Sequence, residues 1–149
     1  MRDFFAFIYE TVFQLYDPNY IFFYNSLFND NGYVTMGLTF ILIPLVFVAL
    51  FYFAFWYPYG KVWHWLLVVG IGILFVIGAT ISIYNLEIFA SHNTDLVNAM
   101  NNPATGYYDH AIKMRYIYAG VNALLGIFFY LIYSLVFKRF SKLHGHLPI

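Results

Sequence analysis

The side chains with the most capacity for chemistry lie between residues 85 and 114, in a polar stretch that separates two apolar ones. His92 and Asp95 are three positions apart, so they share a face if this stretch is helical. Imidazole and carboxylate groups placed together can bind a divalent metal. The full candidate ligand cluster is Glu87, His92, Asp95 and His110. No paired motif such as H-E-x-x-H accompanies it, and the same residues suit an ordinary solvated loop, so we predict neither a metal site nor a cofactor.

Signatures of catalysis are missing from the rest of the sequence. There is no cysteine, which excludes thiolate nucleophiles, thiolate metal sites and disulfides. There is no G-x-S-x-G motif, Walker loop or dinucleotide-binding glycine pattern. Seven basic and seven acidic residues cancel, so the sequence offers no basic patch for nucleic acid. We therefore predict a protein that is not an enzyme and has no nucleic-acid partner.

The composition points to a membrane. Hydrophobic residues make up 62% of the chain and charged residues only 9%, whereas soluble domains carry about 25% charged residues. A chain this poor in charge cannot present a surface that faces water on all sides, so part of its surface must face lipid or other proteins. We expect the partners of the chain to be the lipid bilayer and either other membrane subunits or further copies of itself.

Three apolar windows are long enough to cross the hydrocarbon core, which takes about 20 residues of helix. They span about 35–57, 62–84 and 116–137, and none contains Asp, Glu, Lys or Arg in its interior. The predicted fold is an all-α integral membrane protein with three transmembrane helices. Its single membrane domain, 1–149, divides into an interfacial segment (1–34), a helical hairpin (35–84), an outer loop (85–114) and a third span with a basic tail (115–149).

The first residues form a different pattern from the three windows. At 100° per residue, one face of a helix carries Phe4, Ile8, Val12 and Leu15 and is extended by Phe5, Tyr9 and Tyr16. The opposite face carries Asp3, Glu10, Gln14 and Asp17. Such a helix is amphipathic, and we predict that it lies in the membrane interface rather than across the membrane.

Charge sets the predicted orientation. The connection between the first two windows and the C-terminal tail carry basic residues without any acid: Lys61, Lys138, Arg139 and Lys142. Lysine and arginine are enriched on the cytoplasmic side of membrane proteins. We therefore predict that the N-terminus lies outside and the C-terminus in the cytoplasm.

Aromatic residues mark the cytoplasmic interface in this prediction. Trp56, Trp63, His64 and Trp65 lie around the connection between the first two windows. Tryptophan prefers the level of the lipid headgroups, where its ring contacts acyl chains and its N–H finds a hydrogen-bond partner. We expect these four residues to be interface anchors.

Polar and small residues inside the windows predict where helices touch. Asn122 lies about two turns into the third window and can donate and accept across a helix interface. Small residues spaced by four allow close helix approach, as in Gly78 with Ser82 and in Ala119 with Ala123, continued by Gly126. We expect these residues to pack the second span against the third; packing between copies is the alternative.

Three functions remain open at this point. The first is a structural subunit or anchor of a larger membrane assembly. The second is a homo-oligomeric pore, channel or holin-like protein, which would need a polar stripe along one span. The third is a small-solute transporter or membrane enzyme that uses the loop histidines. No charge lies inside a span, which argues against proton-coupled transport.

The N-terminal half has a familiar pattern. An aromatic amphipathic start, Asn31-Gly32 before the first window, and Pro58 shortly before Trp63-His64-Trp65 resemble small, poorly characterised bacterial inner-membrane proteins. Some of these are encoded beside contractile injection or type VI-like secretion machinery. The resemblance implies a membrane component or anchor of such a machine in a bacterial inner membrane, and it assigns no functional residue.

Overall fold

The computed structural model describes residues 1–54 and 62–140, and all regular structure within these two ranges is helical. The helices are α1 (Arg2–Ala6), α2 (Ile21–Asn29), α3 (Gly32–Ala54), α4 (Val62–Tyr84), α5 (Thr94–Asn101) and α6 (Tyr107–Phe140). Helix α1 continues as π-helical turns over Phe7–Val12, and α4 does the same over Asn85–Phe89. Short 3₁₀ turns at Pro18–Tyr20 and Pro103–Thr105 precede α2 and α6.

Helices α3, α4 and α6 are each long and apolar enough to span a membrane, and each packs against the other two. The predicted all-α fold with three candidate spans is confirmed. Helix α4 covers the predicted window 62–84, whereas α3 begins at Gly32, ahead of the predicted start. The end of that first window, 55–57, lies outside the described residues. Helix α6 contains the predicted window 116–137 and extends past both ends, because its polar first turns are still helical.

Turn residues decide where the shorter helices begin and end. Asn31, with φ 62°, links α2 to α3, and asparagine tolerates this left-handed conformation better than most residues. Gly106, with φ 70°, reverses the chain before α6. The side chain of Asn93 accepts the N–H groups of Asp95 and Leu96 and so caps α5. Helix α5 thereby packs against both α2 and α6, at one end of the bundle. We call this the loop end. The opposite end, where α3 ends at Ala54 and α4 begins at Val62, is the hairpin end.

Buried side chains form two clusters along the bundle. The hairpin-end cluster consists of Val48, Phe51, Tyr52, Trp65, Val68 and Tyr130. The loop-end cluster is larger, and it includes six buried tyrosines: Tyr9, Tyr24, Tyr33, Tyr84, Tyr107 and Tyr118. Each tyrosine brings one polar atom into the core, and a buried phenol hydroxyl needs a hydrogen-bond partner. Four of these hydroxyls donate hydrogen bonds within the bundle, so hydrogen bonds help to specify the packing of the loop end: those of Tyr9, Tyr24, Tyr33 and Tyr84.

The N-terminal helix packs on the bundle with part of its predicted apolar face. Its buried residues are Phe5, Ala6 and Tyr9, whereas Phe4 is 59% exposed. The ring of Phe5 lies over Gly37 of α3, where a Cβ atom would clash with it. Phe5 and Tyr9 belong to the predicted apolar face, whereas Phe4 and Val12 of that face are exposed. The position of this helix relative to a bilayer stays a prediction.

Candidate functional site

Asn122 of α6 is the centre of a buried hydrogen-bond network between four helical segments. Its Nδ2 atom donates to the carbonyl oxygen of Met36 at 3.0 Å and to Oγ1 of Thr80 at 2.9 Å. Its Oδ1 atom accepts the hydroxyl of Tyr9 at 2.6 Å. Helices α3 and α4 and the continuation of α1 are thus all tied to one amide on α6. We call Tyr9, Met36, Thr39, Thr80 and Asn122 the polar junction.

The two threonines of the polar junction belong to α3 and α4. Thr39 donates to the carbonyl oxygen of Met36 at 2.7 Å, and Thr80 donates to that of Val76 at 2.8 Å. Bonds from threonine to a carbonyl on the preceding turn are common in helices. With its proton engaged in this way, the Thr80 hydroxyl offers its oxygen to the Asn122 amide. The Thr39 and Thr80 oxygens lie 3.1 Å apart, so α3 and α4 approach closely here.

The side chains of the polar junction are uncharged, and their hydrogen bonds hold the helices together. Thr39, Thr80 and Asn122 carry no charge, and burial raises the pKa of the Tyr9 hydroxyl above its ordinary range, so that it keeps its proton. An amide left unpaired among apolar groups would cost several kcal/mol. Each hydrogen bond between membrane helices contributes only about 0.6 to 1.7 kcal/mol. The junction therefore fixes which faces of the helices meet more than it adds stability.

A stack of tyrosines lies beside the polar junction. The Tyr9 ring stacks on Tyr33 at 5.6 Å between centroids and meets Tyr118 edge-on at 5.2 Å. The Tyr33 hydroxyl donates to Glu10 at 2.7 Å, and that of Tyr84 donates to the carbonyl oxygen of Ala111 at 2.7 Å. Sequence reasoning missed these residues. Their signal was the occurrence of tyrosine near the loop end of all three spans, at positions 33, 84 and 118.

The small residues divide between two faces. Gly126 is buried against Ile73 and Val76 of α4, with Ala119 buried and Ala123 half-buried on the same helix. Gly78 and Ser82 are exposed, and a Cβ atom on Gly78 would meet nothing within 4 Å. The expectation that Gly78 and Ser82 pack the second span against the third was therefore wrong.

The inward face of α4 explains that correction. Its buried residues recur with almost perfect spacing of four: Trp65, Val68, Gly72, Val76, Thr80 and Tyr84. Gly78 lies two positions from Val76 and from Thr80, which places it about 200° around the helix. The glycine that does allow close approach is Gly72, where a Cβ atom would overlap the hydroxyl of Tyr130. The sequence analysis overlooked Gly72.

The predicted interface anchors have different environments. Trp56 lies outside the described residues. Trp63 is 79% exposed and His64 is half-buried. Trp65 is only 7% exposed, and its Nε1 donates to the hydroxyl of Ser134 at 3.0 Å. Two helical positions separate Trp65 from Trp63 by about 200° and turn its side chain into the bundle. The level of these residues relative to the lipid headgroups stays a prediction.

The candidate ligand cluster is spread over the loop end. His92 and Asp95 are exposed, and Glu87 is half-buried on the turns that continue α4. His110 stacks on Tyr20 at 3.7 Å between centroids, and its Nε2 lies 3.2 Å from the Tyr24 hydroxyl. Within the two described ranges, no three histidine or acidic side chains come together in a group that could hold a metal ion. His110 instead belongs to the aromatic packing between α2 and α6.

No known family, no curated protein and no solved structure matches this chain. The protein can therefore be classified only by its own architecture. It is a bundle of three helices long and apolar enough to span a membrane, with an N-terminal helix fastened to it by the polar junction.

Proposed function

We propose that this chain is a non-enzymatic membrane subunit that anchors a larger membrane assembly. The observation that carries the proposal is the outward position of Gly78 and Ser82 on α4. Small residues let helix backbones approach closely, and they are enriched where membrane helices touch. Neither residue is buried by the described part of the chain, so their face of α4 can receive a helix from another protein.

The neighbourhood of Gly78 supports this choice of face. Gly70 is also exposed with nothing within 4 Å of its Cβ position, so three small residues follow one side of α4. A smaller share of the apolar stretch is buried in α4 than in α3 or α6. Exposed leucine alone would say little, because lipid tails are as apolar as leucine. Exposed small residues, in contrast, favour contact with another helix over contact with lipid on this face of α4.

The polar junction weakens the case for a homo-oligomeric pore. Such a pore needs polar side chains on an outward face, where copies would surround them. Thr80 and Asn122 are fully buried and bonded to each other, so neither can line a channel between copies. The transporter or membrane enzyme also loses support, because the loop histidines do not come together.

The setting of the assembly is part of the proposal. The sequence resemblance favours a secretion or injection machine in a bacterial inner membrane. The basic residues Lys61, Lys138, Arg139 and Lys142 favour an N-terminus outside and a C-terminus in the cytoplasm.

Native mass spectrometry of the complex, purified in mild detergent from its natural host, tests the proposal. The matched variants are Gly78→Leu on α4 and Gly120→Leu on α6, since both glycines have open space around the Cβ position. Wild type and Gly120→Leu should retain partner proteins in fixed ratio, and Gly78→Leu should yield the chain without them. Unchanged recovery of the complex from Gly78→Leu would exclude this face as the assembly surface. A homo-oligomer without other subunits would favour the pore instead, and its conductance in bilayers would then decide.

A further inference from the structure

Arg115 lies where α6 passes from the aqueous side into the apolar stretch. No Asp, Glu, Lys or Arg occurs between Arg115 and Lys138, and this interval of helix is about 35 Å long. The hydrocarbon core of a bilayer is about 30 Å thick. When α6 spans a membrane, Arg115 at the loop end and Lys138 at the other end are therefore both close to the level of the lipid phosphates.

Neutral groups hold the guanidinium of Arg115 in place. Its Nη2 donates to the Tyr116 hydroxyl at 2.8 Å, and its Nη1 to Oδ1 of Asn85 at 3.5 Å. The guanidinium carbon lies 4.7 Å from the ring centroid of Tyr116 and 5.9 Å from that of Phe89. Aromatic faces attract such a cation and restrict its plane. Residues of α6 and of the continuation of α4 thus orient the side chain together.

The charge of Arg115 is not balanced within the described part of the chain. Its partners there are an amide, a phenol and two aromatic rings, and its buried Nε has no hydrogen-bond partner. A guanidinium has five N–H donors, so most of its capacity remains open. A cation beside apolar surface is costly unless an anion compensates it.

Large side chains with apolar surface are exposed among the partners of Arg115 and next to them in the sequence. Leu86 is 67% exposed and Tyr116 is 60% exposed, and Phe89 is exposed as well. A free phosphate ion gains nothing from apolar contacts. A phospholipid would place its headgroup at the cation and an acyl chain on these side chains. We propose that Arg115, together with Asn85 and Tyr116, binds the phosphate of a membrane lipid at the loop end of the bundle.

Delipidated protein titrated with phosphatidylglycerol, followed by native mass spectrometry, tests the site. The variants are Arg115→Gln and Arg115→Lys, and the control is Lys113→Gln, which removes the same charge from an exposed position two residues away. We expect Arg115→Gln to lose about tenfold or more in lipid affinity, the loss typical of a charge-assisted hydrogen bond. Arg115→Lys should recover only part of it, because lysine lacks the planar fork that matches phosphate. Lys113→Gln should bind like wild type.

Two outcomes would overturn the proposal. One is equal loss in Lys113→Gln and Arg115→Gln, which would show a general effect of charge. The other is competition by millimolar inorganic phosphate against the lipid, which would show a site for the free anion. If Arg115→Gln does not fold, wild type with ¹⁵N-labelled arginine in vesicles of that lipid gives the answer. Dephasing of the Arg115 guanidinium signal by lipid ³¹P is expected, and its absence would also refute the site.

Discussion

Tyr9 and Asn122 are 113 positions apart, and the hydroxyl of the first donates to the amide oxygen of the second at 2.6 Å. Both side chains are fully buried. This bond joins the N-terminal helix to α6, so the N-terminal segment is part of the bundle and not a loose attachment. The amide also reaches Met36 of α3 and Thr80 of α4, so a single side chain coordinates the packing of all three long helices.

Removal of the Tyr9 hydroxyl should loosen the N-terminal helix. We expect Tyr9→Phe to lower the free energy of unfolding by about 1 kcal/mol, because the Asn122 oxygen loses its partner in a buried place. Unfolding of the protein in mixed detergent–SDS micelles measures this change. Tyr16→Phe is the control, since Tyr16 is exposed and also packs its ring on a tyrosine. Equal destabilisation by both variants would contradict the assigned role of the Tyr9–Asn122 bond.

The same bond predicts that two variants are not additive. Asn122→Ala should cost more than Tyr9→Phe, because it removes the hydrogen bonds to Met36 and Thr80 as well. In the double variant the loss should be smaller than the sum by about 0.5 to 1.5 kcal/mol, as is usual for groups in direct contact. A complete double-mutant cycle of unfolding free energies measures this coupling. Strict additivity would mean that the two groups do not interact in the folded protein.

Gly72 and Tyr130 provide a test of the packing between α4 and α6. Gly72→Ala should destabilise the bundle, because the new methyl group would overlap the Tyr130 hydroxyl. Tyr130→Phe alone should be nearly neutral, because this buried hydroxyl has no hydrogen-bond partner in the described part of the chain. Combined with Gly72→Ala, it should restore part of the lost stability. Thermal unfolding in detergent provides the measurement.

The control for that pair is Gly78→Ala on the opposite face of α4. It should be neutral or slightly stabilising, by up to about 1 kcal/mol, because alanine favours helix and open space surrounds the position. If Gly72→Ala proved as harmless as Gly78→Ala, the inward face of α4 described above would be incorrect.

Two neighbouring tryptophans should respond differently to substitution. Trp65→Phe removes a buried N–H bond to Ser134 and should destabilise the bundle by about 1 to 2 kcal/mol. Trp63→Phe should leave stability unchanged, because the side chain of Trp63 is largely exposed. Acrylamide quenching in detergent adds a second measurement, in which loss of Trp63 reduces the quenchable fluorescence more than loss of Trp65. The reverse order would mean that Trp63, and not Trp65, is the buried tryptophan.

Composition was sufficient to predict the three spans because the length of a charge-free stretch is a direct physical requirement for crossing a membrane. The faces were harder to predict. In water, apolar periodicity identifies the buried face of a helix, but in a bilayer the lipid side is apolar too. For this reason the sequence pattern of α4 did not predict that Gly72 faces inward and Gly78 outward. The partner of Tyr9 was equally hidden, since a hydrogen bond across 113 residues has no local signal.

The order of Tyr9 and Asn122 along the sequence has a consequence for biosynthesis. A ribosome releases the N-terminal helix first, and the amide that Tyr9 needs is made only when α6 is synthesised. Until then the hydroxyl of Tyr9 and the threonines of α3 and α4 lack the Asn122 side chain that bonds them in the folded bundle. We therefore expect the N-terminal helix to reach its final place on the bundle only after α6 has been made.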